Sequence, residues 1–265
     1  MKKPNRRSSA ECYDYPQYWD LAFRDETLFE ADFVESAAEK YAQIPLQTVL
    51  EPGCGGGRLM VELAKRGYQV VGFDRSQPSV RYVQQRLRRR NLPGKVFVGD
   101  MTDFRLAEPV DCVVNLVNTF RHLTTEKAAL AHLQQVATAL QPGGIFLLGF
   151  HLIPLDADPD CTERSTARHG QTKVTLTLRV VDFNRRKRLE RIRFNLRVKS
   201  GQRDRKLQSE YDYRLYTHKQ FLSLLAKVPE LELCETYDFN YDIDDPVPLD
   251  DQLSDAVFVL RKQSG

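Results

Sequence analysis

The chain has 265 residues, of which 42% are hydrophobic and 28% are charged, a composition typical of an ordinary globular protein. This length can bury a full core in one large domain, or in one domain with an insertion, without disulfides or metals. The net charge is +3, from 39 basic and 36 acidic residues, and this balance gives no indication of a nucleic-acid or membrane partner.

The five cysteines are scattered along the chain and form no Cys-x-x-Cys pair, so the sequence indicates neither a zinc site nor a disulfide framework. Reduced thiols in a cytoplasmic protein are the simplest interpretation. The basic N-terminus is not followed by an apolar stretch, and no run of about 18 apolar residues occurs anywhere. Neither a signal peptide nor a membrane span is therefore expected.

Residues 13–41 are predicted to be helical, because apolar side chains recur there at near-helical spacing, and residues 1–44 are interpreted as an N-terminal helical lid. From residue 45 onward, short apolar segments alternate with amphipathic ones. Strands are predicted at 48–51, 69–74, 95–98, 110–117 and 145–151, and helices at 58–66, 76–91 and 124–140. This alternation predicts an α/β fold whose sheet is largely parallel and is covered by helices on both faces.

The pattern changes after residue 151. Apolar and polar residues then alternate with a period of two, which predicts antiparallel strands with one polar face, at 171–183, 188–199 and 205–215. Residues 152–215 are therefore interpreted as an antiparallel β insertion on the substrate side. A helix at 217–227 and a strand pair at 231–239 and 255–262 restore the earlier pattern, so the core is assigned to 45–151 and 216–265.

A glycine-rich turn at residues 53–57 joins the first predicted strand to the first helix of the α/β region. Glycine permits positive φ and lets the backbone approach a nucleotide closely, and ligands of such sheets bind beyond the carboxyl ends of the strands. A dinucleotide fingerprint would place a third glycine at position 58, where this chain has Arg58, and this counts against NAD. Asp74, at the end of the second strand, can accept both hydroxyls of a bound ribose.

The G-x-G-x-G spacing after Glu51 resembles motif I of the class I S-adenosylmethionine-dependent methyltransferases, and the Leu-x-Pro-Gly-Gly sequence at 140–144 resembles another signature of that family. The resemblance implies a Rossmann-like seven-stranded sheet and S-adenosyl-L-methionine as the cofactor, with S-adenosyl-L-homocysteine as the product. It places Glu51 near the methionine end, Asp100 at the adenine amino group and Met101 on the ring. The cofactor-binding residues expected are Glu51, Gly53, Cys54, Gly55, Arg58, Asp74, Arg75, Asp100, Met101, Asn115 and Tyr18.

The segment after the fourth strand resembles that of small-molecule N-methyltransferases of the amino-sugar type, in which a His-Leu pair follows an Asn-rich turn. His122 is therefore predicted to be the catalytic residue, because a histidine can take or orient a proton near neutral pH. The resemblance extends to an aromatic run at residues 13–20. Tyr15, Asn118 and His151 are predicted to contact the substrate, and no spacing indicates a metal site.

The expected reaction is in-line methyl transfer to nitrogen or oxygen of a small molecule by a monomer or homodimer. The many basic residues of the insertion leave an RNA or protein methyltransferase open as an alternative, although a solvated strand face is the favoured explanation of them. A non-catalytic cofactor-binding protein of the same fold is a second alternative, since fold does not dictate function. An NAD-dependent oxidoreductase is the third.

Overall fold

The computed structural model describes residues 11–154 and 162–263. The described helices are α1 (Pro16–Ala22), α2 (Thr27–Tyr41), α3 (Arg58–Lys65), α4 (Gln77–Arg89), α5 (Glu126–Ala139) and α6 (His218–Leu225). The strands of the larger sheet are β1 (Thr48–Pro52), β2 (Gln69–Asp74), β3 (Lys95–Val98), β4 (Val110–Asn115), β5 (Leu140–His151), β10 (Leu231–Tyr237) and β11 (Asp255–Lys262). The strands of the smaller sheet are β6 (Thr162–His169), β7 (Thr172–Asn184), β8 (Leu189–Ser200) and β9 (Arg203–Arg214).

The larger sheet has the strand order β10-β11-β5-β4-β1-β2-β3 within the described residues. Neighbours from β5 to β3 pair in parallel, and β11 is antiparallel to both of its neighbours. Two buried apolar clusters cover its two faces. The predicted Rossmann-like seven-stranded architecture is confirmed. Because the strand order reverses between β1 and β4, a crevice opens there at the carboxyl ends of these strands.

The smaller sheet is antiparallel throughout, in the order β6-β7-β8-β9. The sequence predicted three of these strands and missed β6, because β6 is polar and almost entirely exposed and so shows no apolar alternation. It is held instead by its backbone pairing with β7. Period-two alternation therefore identifies the strands that bury one face, and it fails for an edge strand.

The basic residues of β8 lie on the exposed face of the smaller sheet and are paired with acids of β9. Arg191, Arg193 and Arg197 contact Asp212 (2.7 Å), Glu210 (2.7 Å) and Asp204 (2.6 Å) respectively. The opposite face is apolar and packs on α1 through residues such as Phe194 and Leu196. These three arginines thus form cross-strand ion pairs on a solvated face, the simpler of the two interpretations of the basic insertion.

The N-terminal segment that the sequence treats as one helical stretch is two helices with different packing partners. The first, α1, contributes Leu21 to the apolar cluster of the smaller sheet. The second, α2, contributes Phe33 and Val34 to the core of the larger sheet. A 3₁₀ turn at Arg24–Glu26 separates them, so each helix can bury its apolar side against its own sheet. No helix of the described residues has the length and apolar character needed to cross a bilayer.

Candidate functional site

A cavity of about 680 Å³ opens at the carboxyl ends of β1, β4 and β5, between the two sheets and against α1. This volume lies in the range of small-molecule sites, about 300–1,000 Å³. The sequence-predicted residues that line it are Glu51, Gly53, Cys54, Gly55, Arg58, Asn115, Asn118, His122 and His151. The fold therefore brings nine of the fifteen predicted residues to one cavity, from three separate parts of the chain.

The glycine turn forms the floor of this cavity, and its conformation explains why glycine is required. Gly53 has φ +67°, and a Cβ there would lie 2.5 Å from Cγ2 of Thr119. Gly55 has φ +50°, yet a Cβ there would meet no atom within 4 Å. The first glycine is thus required by backbone conformation and by packing, whereas the space beside the second is open to a ligand.

Glu51 places an unsatisfied carboxylate oxygen at the cavity. The Oε2 atom is shielded from solvent and has no hydrogen-bond partner among the described residues. Burial raises the pKa of Glu51 to about 8, although Arg58 opposes this shift. A buried acceptor without a partner is costly, and a cationic ligand group would satisfy it. A ligand group that donates hydrogen bonds or carries positive charge near Glu51 would therefore fit this side of the cavity.

Asn115 offers a second unsatisfied acceptor at the end of β4. Its Nδ2 donates to the carbonyl of Pro52 (3.0 Å), which fixes the orientation of the amide, and its buried Oδ1 has no partner among the described residues. Glu51 and Asn115 both line the same cavity. Two such acceptors converging on one space indicate a ligand with several donors or a positive charge.

Asp74, Arg75, Asp100 and Met101 lie along the neighbouring strand ends and do not line the cavity itself. Asp74 accepts from the backbone N–H of Gly55 (2.9 Å) and of Ser76, and burial raises its pKa. Asp100 accepts twice from Thr102, whose backbone N–H hydrogen bond lowers the pKa of Asp100, and its Oδ2 lies 3.7 Å from Nε of Arg75. These residues follow the glycine turn along the same edge of the sheet, and their contact with a cofactor remains a prediction.

Arg58 forms an ion pair with the fully buried Glu30 and donates to Oγ1 of Thr27 (3.2 Å). Its guanidinium therefore ties the first turn of α3 to α2. The described contacts give Arg58 a structural role beside the turn, and contact with a cofactor remains a prediction.

Tyr15 and Tyr18 stack on each other, with ring centroids 5.9 Å apart, and neither lines the cavity. Tyr13, Trp19 and Phe23 of the same segment face it instead. The orientation of this aromatic segment is set by Pro16 at the start of α1 and by a hydrogen bond from Nε1 of Trp19 to the carbonyl of Cys12 (2.9 Å). The aromatic run was the correct signal, but the sequence did not show which of its faces turns inward.

His122 lies in an aromatic cluster that the sequence did not predict. Its Nε2 is 3.1 Å from the hydroxyl of Tyr13, which in turn lies 3.3 Å from the hydroxyl of Tyr213. Burial, with a smaller effect of Arg121, lowers the pKa of His122 to about 4. The imidazole is therefore neutral at physiological pH and hydrogen-bonded to Tyr13.

Arg121 and Glu190 form a buried ion pair between the segment after β4 and the smaller sheet. Nε of Arg121 also donates to the carbonyl of Arg214 (3.0 Å), and its guanidinium lies over the ring of Tyr213. Because Arg121 precedes His122, this pair holds the histidine against the smaller sheet. Sequence reasoning missed it, because its partners lie 69 positions apart.

Comparison with known proteins supports the same interpretation. Residues 49–144 match the family described as "Methyltransferase domain". A putative methyltransferase of Geobacillus sp. is 26% identical over 141 residues, which are 52% of this chain and 57% of the relative. The chain thus matches a little over half the length of this curated relative.

Two solved structures share nearly the whole fold. One is an S-adenosylmethionine-dependent methyltransferase from Clostridium acetobutylicum, with a TM-score of 0.76, 14% identity and coverage of 96% of this chain and 100% of the other. The other is CalS10 of Micromonospora echinaspora, an amino pentose methyltransferase, with a TM-score of 0.70, 18% identity and coverage of 93% and 94%. Residues 49–144 are a methyltransferase domain, and the chain has the fold of S-adenosylmethionine-dependent methyltransferases.

Proposed function

We propose that this protein transfers the methyl group of S-adenosylmethionine to nitrogen or oxygen of a small molecule and releases S-adenosylhomocysteine. The observation that carries the proposal is the orphaned Oε2 of Glu51 at the glycine turn. When bound, the cofactor supplies an activated methyl group on a positively charged sulfur. The site fits this cofactor, because Glu51 and the orphaned Oδ1 of Asn115 can accept hydrogen bonds from the ammonium of its methionine end.

The nucleoside part of the cofactor is proposed to extend along the sheet edge from the open space beside Gly55. Asp74 would accept from the ribose hydroxyls, Asp100 from the adenine amino group, and Met101 would pack on the ring. The carbonyl of Met101 is bound by the buried His132 (3.1 Å), which fixes this loop. These residues bind and orient the cofactor and take no part in the chemical step.

Positioning is the main contribution of the chain to the reaction. The acceptor must lie in line behind the methyl group, and near-attack positioning can supply about 7–11 kcal/mol. The walls on the acceptor side come from α1 and the smaller sheet, with Trp19, Phe23, Leu178 and Ile192 among them. Largely apolar walls exclude water from the reacting atoms. We assign His122 the role of orienting the acceptor, together with Tyr13.

Several features support a small molecule as the acceptor. The cavity volume suits one, and CalS10, which shares the fold, acts on an amino pentose according to its description. The arginines of β8 that suggested RNA are engaged with acids of the same sheet.

We further propose a lid (1–44), a core (45–151 and 216–265) and a substrate-side insertion (152–215) in a monomer or homodimer. The described cysteines are free, which fits the predicted cytoplasmic location; Cys161 lies outside the described residues.

Calorimetric titration with S-adenosylmethionine, S-adenosylhomocysteine and NAD tests the cofactor assignment. We expect micromolar binding of both adenosyl ligands and none of NAD. Turnover is then measured as S-adenosylhomocysteine formation with a panel of primary amines, amino sugars and phenols. Binding of NAD alone would overturn the assignment of the turn, and cofactor binding without turnover on any acceptor would indicate a non-catalytic protein.

Substitution of Asp74 with alanine should weaken S-adenosylmethionine binding by about 1–3 kcal/mol, because the ribose hydroxyls and the N–H groups of Gly55 and Ser76 lose their acceptor. Calorimetry measures the effect. Asp103→Ala removes an exposed carboxylate that has no part in the proposed cofactor contacts, so it serves as the control and should bind as the wild type does. Equal affinity of the two variants would remove Asp74 from the site.

A further inference from the structure

A second histidine at the cavity is held by a carboxylate. Nδ1 of His151, the last residue of β5, lies 2.6 Å from Oδ1 of Asp255, the first residue of β11. The two residues stand directly opposite each other in the antiparallel register of these strands. The backbone N–H of His151 donates to Oδ1 of Asn118 (2.9 Å), and its ring packs against Phe239. The ring is thus held by Asp255 and Phe239, and the backbone of His151 by Asn118.

The carboxylate determines which nitrogen of His151 carries the proton. Because Asp255 accepts, Nδ1 carries a proton, and in the neutral ring Nε2 is the nitrogen with the free lone pair. The hydrogen bond from His151 lowers the pKa of Asp255, so this carboxyl is ionised at neutral pH. His151 lines the cavity and its side chain is 34% exposed. In its neutral form the ring therefore offers Nε2 as a proton acceptor at the cavity, and its side chain keeps contact with solvent.

His122 is less suited to accept a proton. Its Nε2 is hydrogen-bonded to Tyr13, and burial beside Arg121 disfavours a second positive charge there. No carboxylate contacts its ring among the described residues. By contrast, the charge that a proton would bring to His151 falls next to Asp255, so an imidazolium is stabilised where it forms.

We propose that His151 is the general base of the methyl transfer and that Asp255 is its positioning residue. This inference rests on the proposed function. The lone pair of the acceptor nitrogen or oxygen forms the bond to the methyl carbon, and the electron pair of the broken sulfur–carbon bond stays on sulfur. The proton of the acceptor passes to Nε2 of His151, and the resulting imidazolium returns it to solvent at its exposed edge. Acceptors that must lose a proton, such as hydroxyls and ammonium groups, are the class that requires this dyad.

The test uses variants that separate a base from a structural contact. His151→Asn can keep a hydrogen bond to Asp255, because the asparagine amide reaches the place of Nδ1, but it has no atom at Nε2. His218→Asn is the matched control, since Nδ1 of His218 lies 3.3 Å from Oδ1 of Asp251 but this histidine does not line the cavity. Steady-state turnover is measured with the panel of primary amines, amino sugars and phenols, beside calorimetric affinity for S-adenosylmethionine and melting temperature.

We expect His151→Asn to lower kcat about 100-fold or more, with cofactor affinity and melting temperature unchanged, because general-base catalysis contributes about 10²–10⁴-fold. Asp255→Asn should lower kcat in the same direction by a smaller factor, and His218→Asn should keep the wild-type kcat. Wild-type kcat in His151→Asn, or an equal loss in His218→Asn, would overturn the inference.

Labelling with diethyl pyrocarbonate gives a readout that needs no acceptor. A free Nε2 predicts that His151 reacts much faster than His122, as followed by peptide mass spectrometry. Slow labelling of His151 would overturn the dyad even if the wild type turns over. If the wild type releases no S-adenosylhomocysteine while His151 is labelled rapidly, the proposed function fails and the accessible dyad stands, so the two failures are distinguishable.

Discussion

Substitution of Glu51 with glutamine should weaken binding of S-adenosylmethionine by about 2–4 kcal/mol, or roughly 30- to 800-fold, because the charge of the cofactor then lacks its buried partner. The reason is the orphaned Oε2, which accepts no hydrogen bond from the described residues and lies beside the turn. Calorimetric titration measures the change. Glu62→Gln is the control, since Glu62 belongs to α3 and pairs with Lys65 outside the cavity.

The same substitution should stabilise the protein without ligand. Glu51 has its pKa raised from the ordinary value of 4.5 to about 8, so the folded state binds a proton more tightly than the unfolded state does. Stability is therefore lost as the pH rises from about 4.5 to 8, while the unfolded state is already ionised. At pH 8.5 we expect the glutamine variant to be more stable by about 2–4 kcal/mol. This gain is smaller than the full pKa difference of Glu51 would give, because the protein relaxes around the buried carboxylate. A fall in both affinity and stability would contradict this interpretation.

Cofactor affinity should also depend on pH in a defined direction. Below about pH 8 the carboxyl of Glu51 is protonated in the free protein and must release its proton to meet a cation. Affinity should therefore rise between pH 6 and 8, by up to about tenfold per unit, and then level off. Titrations in buffers of different ionisation enthalpy measure the released proton directly. In Glu51→Gln the rise and the proton release should disappear.

Substitution of Arg121 with methionine should destabilise the fold by about 3–5 kcal/mol, because it leaves Glu190 as an unpaired buried charge. The carbonyl of Arg214 also loses a donor. For a protein of this size the melting temperature should fall by roughly 2–4 °C for each kcal/mol. Thermal unfolding followed by circular dichroism measures the effect.

Two further variants define the cause of that loss. Arg197→Met removes an arginine from a solvent-exposed pair with Asp204, and its melting temperature should stay close to that of the wild type. The double variant Arg121→Met with Glu190→Leu should recover much of the stability, because it removes both buried charges together. If the double variant is no better than Arg121→Met, packing of the arginine side chain, rather than the unpaired glutamate, accounts for the loss.

Much of the core was predictable because its signals are local. Strands β2 and β3 occupy the residues predicted for them, and Ser76 caps α4 through a hydrogen bond from Ser79, three residues away. The glycine turn was recognisable because its conformation demands glycine at fixed spacing. Short-range periodicity, capping and backbone strain each act within a few residues, so a single sequence displays them.

The composition of the site depended on contacts between distant parts of the chain. His151 meets Asp255 across 104 positions, Tyr13 meets His122 across 109, and Arg121 meets Glu190 across 69. No local pattern predicts such pairs, because the register of β5 on β11 and the packing of the smaller sheet on α1 decide them. The orientation of α1 likewise decided that Tyr13 and Trp19, rather than Tyr15 and Tyr18, face the cavity.

The sequence by itself thus determined the α/β alternation, the glycine turn and the acids at the strand ends, since each depends on backbone conformation and burial within one element. Only the tertiary structure decided that His122 is partly buried and bonded to Tyr13, while His151 is held by Asp255 at the cavity. One histidine lies in the segment after β4 and the other ends β5. Their chemistry differs because the neighbours that desolvate or stabilise a charge are supplied by other strands.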